Sequence, residues 1–254
     1  MHVTNKRVVL VTGAVGGIGS AITKKFLENG DIVCLLDLHQ DKLDQAVSQL
    51  GENAFGYRLD VTNETEVQYV ISKIIDEHGR IDVLVNNAGL QYRAKIEDFP
   101  LEKWRLLIDV LLTGVFLMTK HVFSQMKKQR FGRIINISSV HGKMATPEKV
   151  AYVAAKHGVL GITSVAGLEG APYGITVNSV LPGPVKTPLL EKQLNDLYES
   201  EGLTEQEALS RIMYPRQAMN RFIEASEIAG TVFFLASDEA AGITMEHVKV
   251  AGGM

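Results

Sequence analysis

The run RVVLVTGAVGGIG, Arg7 to Gly19, constrains the fold more than any other stretch. Arg7 to Val11 is a continuous apolar segment rich in β-branched residues. That is the pattern of a strand buried on both faces, as in a parallel sheet. The turn that follows carries glycines at GxxxGxG spacing, and a helical pattern then runs to Asn29-Gly30, where the glycine stops it. Gly13 permits a tight turn. Gly17 and Gly19, on either side of Ile18, let backbone approach a pyrophosphate at the helix N-terminus, where free N–H groups and the helix dipole favour an anion. A glycine-rich connection without a ligand would read the same way, so the decision falls to the rest of the chain.

The alternation continues. Asp31–Leu36 reads as a second strand, closed by Asp37 about 20 positions beyond the glycines, where a carboxylate accepts from the hydroxyls of an adenosine ribose and repels a 2′-phosphate. Leu38 follows and no Arg is near, so the expected cofactor is NAD; capping of the next helix is a second use for Asp37. Gln40–Leu50 reads as helix, Ala54–Leu59 as strand ending in Asp60-Val61, and Thr62 or Asn63 as the cap of a helix reaching His78-Gly79. Asp82–Val85 is a strand leading into Asn86-Asn87-Ala88-Gly89. Leu101–Gln129 is a long helix whose Trp104 reads as packing. Arg133–Ile137, Ile175–Val180 and His247–Val250 are further strands, with helices from Val150 to about Ala171 and from Glu224 to Ala236.

Short connections between alternating strands and helices predict an α/β fold. The expectation is a single-domain Rossmann-type doubly wound parallel sheet of about seven strands over residues 1–254, with ligands at the carboxyl ends of the strands. Asp60, Asn87 and Gly89 lie at such ends. A polar helical segment, about 188–213, follows the sixth strand and reads as a small substrate lid.

Composition removes several classes. The chain has 254 residues, 46% of them apolar, which is enough for one buried core and excludes a disordered chain. A net charge of -3 with mixed signs leaves no footprint for nucleic acid. The apolar stretches read as strand length, short of a membrane span, and the N-terminus lacks a signal-peptide pattern. The single cysteine, Cys34, lies inside IVCLL and reads as a core residue, which fits a reducing cytoplasm. His78, His121, His141 and His157 show no ligand-like spacing, so no metal site is expected.

The chemistry points to Ser139–Lys156. Tyr152 and Lys156 are four residues apart, on one face of a helix. An ammonium beside a phenol favours the phenolate and lowers a pKa that is otherwise ~10. Ser139, at the end of the strand before them, is placed to join the pair in proton transfer at a carbonyl oxygen.

TGAVGGIG, NNAG, the Ser139/Tyr152/Lys156 triplet and LPGPVKT occur in this order, and together they resemble the short-chain dehydrogenase/reductase family over essentially the whole length. The resemblance implies hydride transfer between nicotinamide C4 and a carbinol or carbonyl carbon, with Tyr152 as general acid/base. Lys156 would also hold the nicotinamide ribose, and Ser139 the substrate oxygen. Asp60 and Val61 would sit at the adenine, Asn87, Ala88 and Gly89 along the cofactor, and Pro182, Gly183, Val185 and Thr187 at the carboxamide and pyrophosphate. The segments GLQYRAKIEDFPLEKW, FGRIINISSVHG, AYVAAKHGVLG and TPLLEKQL are similar to bacterial D-3-hydroxybutyrate dehydrogenases. That implies a carboxylate held by Gln91, His141, Lys149 and Gln193, and a small hydroxy or keto acid such as (R)-3-hydroxybutyrate or acetoacetate. A homotetramer built on the helices at Leu101–Gln129 and Val150–Ala171 is also implied.

Departures from the family pattern keep two alternatives open. Leu111 stands where the family usually has an Asn that places a relay water, so a nucleotide-binding protein with little turnover is one. Pro184 stands where an aromatic is common, so a reductase of another small ketone, polyol or 3-oxoacyl substrate is the other. Met245 and Ala251 stand where Gly and Asp are usual, close to a tail that often packs in the tetramer.

Overall fold

A computed structural model describes residues 6–187, 190, 202, 204, 207 and 217–254. The expected lid, 188–213, and Gln193 within it therefore fall almost wholly outside the described residues. Seven strands form one parallel sheet: β1 Val8–Thr12, β2 Ile32–Asp37, β3 Ala54–Arg58, β4 Val83–Asn86, β5 Gly132–Ile137, β6 Ile175–Pro182 and β7 His247–Val250. Their order is β3-β2-β1-β4-β5-β6-β7. The doubly wound expectation holds, because every neighbouring pair runs parallel.

Alternate residues of each central strand serve opposite layers. Val9 and Val11 pack with Ile22 and Phe26 of α1 (Gly17–Glu28), Leu43 of α2 (Gln40–Leu50) and, near the C-terminus, Val232 of the helix Ala225–Leu235. Val8 and Leu10 pack on the other side with Ile74 of α3 (Glu64–His78) and Met118 and Val122 of the long central helix. Cys34 lies fully buried in this second layer, and burial pushes its thiol pKa up. Asn63 caps α3, its side chain accepting from the Thr65 and Glu66 amides.

Two expectations change here. The helix over Leu101–Gln129 is three pieces: α4 (Leu101–Ile108), a π-helical turn (Asp109–Thr113) and α5 (Gly114–Gln129). The π turn carries Leu111, and such turns are frequent at functional sites. This run is also long enough to cross a membrane, and an 18-residue window of it has a mean hydropathy of 1.7, which corrects the expectation that every apolar stretch is too short. Leu107, Leu111, Met118, Val122 and Met126 are fully buried in the fold, which accounts for much of that apolarity. The reacting helix is α6 (Val150–Gly170) and the C-terminal helix is α7 (Ala225–Leu235). Met245, where the family favours glycine, adopts the left-handed φ of 63°. Its side chain lies so close to Gly167 that a Cβ there would come within 2.4 Å of it.

Strand order reverses between β1 and β4. The connections from these two strands leave in opposite directions, which opens a crevice beyond their carboxyl ends.

Candidate active site

At that crevice lies a cavity of about 1260 Å³. Apart from Gln193, every site residue expected from the sequence lines it. On the nucleotide side these are Gly13, Gly17, Ile18, Gly19, Asp37, Asp60, Val61, Asn87, Ala88, Gly89, Pro182, Gly183, Val185 and Thr187. On the reacting side they are Gln91, Ser139, His141, Lys149, Tyr152 and Lys156.

The nucleotide side is built from backbone. Gly13 takes a left-handed φ of 62° to turn the chain from β1 toward α1. A Cβ on Gly19 would lie 2.2 Å from the Gly13 carbonyl oxygen, so the first turn of α1 presses directly on the loop. Asn87 fastens this loop to the end of β4. Its Nδ2 donates to the carbonyls of Thr12 (2.9 Å) and Gly13 (3.1 Å), while Thr12 Oγ1 accepts from the amides of Asn87 and Ala88. Asn87 thus shapes the wall as well as lining it. α1 starts at Gly16 with no side-chain cap and no acidic residue in its first turn, which leaves its free amides for an anion. Asp37 ends β2, and the amides of His39 (3.3 Å) and Val15 (3.5 Å) approach its carboxylate. His39 occupies the N-cap position of α2 without a side-chain hydrogen bond, so Asp37 does not cap this helix. Asp60 accepts from the amide and hydroxyl of Thr62. An uncapped helix start, a close-packed glycine turn and a carboxylate at the tip of β2 fit a dinucleotide.

The reacting side is built from polar side chains drawn out of water. Tyr152 and Lys156 sit one turn apart on α6, and the Lys156 ammonium stands 5.6 Å from the Tyr152 ring centroid. The expected lowering of the phenol is not seen. Burial pushes Tyr152 up, opposed by its hydrogen bond with Ser139, and Lys156 donates to the Ile137 carbonyl at 2.7 Å. Burial also lowers Lys156 to about 8. In this arrangement burial is the larger influence on the phenol.

His141 follows Ser139 in a short 3-10 turn (Val140–Gly142) that Ser139 caps. Its Nδ1 lies 3.2 Å from Ser139 Oγ and its Nε2 2.5 Å from Thr146 Oγ1. Both ring nitrogens are hydrogen-bonded within the site, so His141 meets a substrate carboxylate only by exchanging one of these partners. Burial, then the charges of Lys149 and His157, lower its pKa to about 4, so it is neutral at pH 7. Lys149, just before α6, is lowered to about 8 by burial and by Arg93, against the pull of Glu148. The Oε1 of Gln91 is buried with no hydrogen-bond partner among the described residues.

Several cavity residues escape a reading of the sequence. Arg93 forms an ion pair with Glu148, and the Ala94 amide bonds the Glu148 carbonyl, so the loop after β4 is docked onto the loop before α6. Arg93 lies two residues beyond Gln91, but nothing local signals its partner. Thr146 and Met144 belong to a loop that reads only for its charges. Lys42 and His39 line the Asp37 end. Lys42, a cation five residues beyond Asp37, lines the same cavity.

A short chain dehydrogenase family model matches residues 7–197. A D-beta-hydroxybutyrate dehydrogenase of Rhizobium meliloti is 39% identical, over 97% of this chain and 98% of its own. Among solved structures, a single-substitution variant of actinorhodin polyketide ketoreductase with NADPH superposes with a TM-score of 0.92 at 35% identity, covering 98% of this chain and 97% of its own. An NAD+-bound xylitol dehydrogenase gives 0.90 at 32%, covering 97% and 98%. With the seven-stranded fold, the glycine turn at a dinucleotide-sized cavity and the Ser139, Tyr152 and Lys156 cluster, these matches place the chain in the short-chain dehydrogenase family of oxidoreductases, which bind a nicotinamide cofactor.

Proposed function

We propose that the protein is an NAD-dependent dehydrogenase interconverting (R)-3-hydroxybutyrate and acetoacetate. The observation that carries this reading is Lys149, a desolvated ammonium lining the same cavity as Tyr152. Such a cation is costly unless an anion meets it, and the substrate's carboxylate is such an anion. Gln91 supplies an amide beside it, and Gln193, outside the described residues, is the third ligand proposed. Ser139 holds the reacting oxygen. In the oxidative direction the substrate hydroxyl gives its proton to Tyr152 as its carbinol hydrogen leaves as hydride. Bound nicotinamide supplies the hydride acceptor. The buried positive charge of Lys156 stabilises the phenolate that takes this proton. Residues Asp37, Asp60, Val61 and 87–89 hold the adenosine and ribose, and Pro182, Gly183, Val185 and Thr187 the far end of the cofactor.

Asp37 favours NAD by repelling a 2′-phosphate. Lys42, in the same part of the cavity, favours the second reading, an NADP-dependent reductase of a neutral or thioester ketone. Assembly as a homotetramer in the cytoplasm completes the proposal. It is supported by Phe116, Val165 and Leu168, exposed large apolar residues on α5 and α6, and is checked by sedimentation.

The test is NADH oxidation with acetoacetate, alongside its methyl ester, NADPH and Lys149→Ala. The expected result is turnover of acetoacetate with NADH and poor use of the ester. Lys149→Ala should raise KM about tenfold or more at similar kcat, since each tenfold is ~1.4 kcal/mol of charge-assisted bonding. Equal use of the ester, or preference for NADPH, selects the second reading.

A further inference from the structure

The wall that carries Lys149 also carries an anion. Among the described residues, Asp37, Asp60 and Glu148 are the carboxylates that line the cavity, and the first two stand on its nucleotide side. Glu148 stands on the reacting side and immediately precedes Lys149 in the chain. Adjacent Cα atoms are only ~3.8 Å apart, and both side chains are long enough to close that span. A Glu148–Lys149 pair would cancel the cation that a substrate carboxylate is to meet. That pair does not form, and Lys149 has no ion-pair partner among the described residues.

Glu148 is held elsewhere, by its side chain and its backbone together. Arg93 Nη2 donates to Glu148 Oε2 at 2.5 Å, and the Ala94 amide donates to the Glu148 carbonyl at 3.1 Å. Two consecutive residues of the loop after β4 thus grip one residue of the loop before α6. The backbone of Glu148 takes a left-handed φ of 66°, which a residue with a side chain keeps only where its surroundings hold it. Lys149 follows as the N-cap residue of α6, and its carbonyl accepts the Val153 amide at 2.8 Å. Neighbouring residues therefore carry a carboxylate committed to Arg93 and an ammonium left to the cavity. The Arg93–Glu148 pair is part-buried, so water screens it less than a surface pair. Among the described residues of this wall, Arg93 and Glu148 cancel, neutral His141 adds no charge, and Lys149 leaves one positive charge unmatched.

We propose that Arg93 sets the charge selectivity of the substrate site by sequestering Glu148, which leaves Lys149 free to meet the carboxylate of a singly charged acid. Arg93 is a positioning residue. It acts through Glu148 on Lys149 and does not itself hold the substrate. The inference rests on the reading of Lys149 as the partner of a substrate carboxylate. Breaking the bridge from its two ends then has opposite consequences. Loss of Arg93 releases Glu148 to pair with Lys149 and to repel an anionic substrate. Loss of Glu148 removes that competitor and releases a second cation.

The test compares Arg93→Met, Glu148→Gln, the double variant and Arg93→Lys in the whole protein with NADH. Acetoacetate, or another keto acid if the wild type prefers one, is the substrate, and its methyl ester is the neutral control. Arg93→Met should raise KM for the acid about tenfold at similar kcat, and leave kcat/KM for the ester unchanged. Glu148→Gln should leave the acid's KM at or below the wild-type value. The double variant should bring KM back to within about threefold of wild type, and Arg93→Lys, which keeps the charge, should stay close to it. If both single variants weaken the acid alike, or the ester suffers as much as the acid, the bridge only braces the loops and the proposal falls. A double variant as poor as Arg93→Met assigns Arg93 to direct substrate binding and overturns the sequestering role. Lys149→Ala separates this inference from the reading beneath it. A raised KM there with none in Arg93→Met overturns the role of Arg93 alone. No change in Lys149→Ala, or turnover of neutral ketones only, overturns the carboxylate reading and this inference with it.

Discussion

The two sides of the crevice hold their ligands by different physics. The nucleotide side is a backbone surface, with its glycine turn pressed against α1, pinned by Asn87 and bounded by carboxylates at strand tips. The reacting side is a set of polar side chains drawn out of water, and Lys149, Lys156 and His141 all have lowered pKa values through burial. At Gly13 and Gly19 on the first side, shape tolerates no added atom. On the second, desolvated charge tolerates changes of shape but not of polarity or pH.

The contrast breaks most visibly at Gly19. Gly19→Ala puts a Cβ against the Gly13 carbonyl, and neither backbone can yield cheaply. NADH affinity should fall by a hundredfold or more, about 3 kcal/mol or above, as read by fluorescence titration. Retention of wild-type affinity would show that the loop is softer than its packing implies.

Leu111→Asn probes the other side. It places an amide among Leu107, Ala151 and Ala155, and burying it without a full set of partners costs roughly 1–3 kcal/mol. Thermal unfolding should shift down while NADH affinity stays within twofold. A large gain in kcat would show that proton exchange past Lys156 limits the native protein.

The smallest expected effect is one of acid stability. His141 keeps its proton off down to about pH 4 because it is buried and faces Lys149 and His157. Between its ordinary value near 6.5 and about 4, the unfolded chain takes a proton that the folded chain refuses, so stability falls as pH drops through that window. Denaturant titrations of wild type and His141→Gln from pH 7 to about pH 4 should show a shallower acid slope in the variant. Equal slopes would assign the loss to other groups.

The legibility of the two sides differs for the same reason. GxxxGxG after a β-branched run is a local pattern, and Gly13, Asp37, Asn87, Tyr152 and Lys156 lie in or at the ends of regular elements whose period shows in the sequence. Arg93 and Thr146 lie in irregular loops, where no period marks which side chains turn inward. Helical spacing sets the face that Lys156 shares with Tyr152, and so predicts an ammonium beside the phenol. Spacing does not set the rotamer, and the Ile137 carbonyl captures the ammonium instead.

The amino-acid sequence by itself determined the alternation of strands and helices, the glycine turn after β1 and the one-turn spacing of tyrosine and lysine, because these follow from steric rules acting over a few residues. Only the tertiary structure decided that Gln91, Lys149 and Tyr152 share one cavity, that Lys42 lines it with Asp37, and that both nitrogens of His141 are hydrogen-bonded. Those outcomes depend on how loops far apart in the chain are docked, and on how much water their packing removes from each charge.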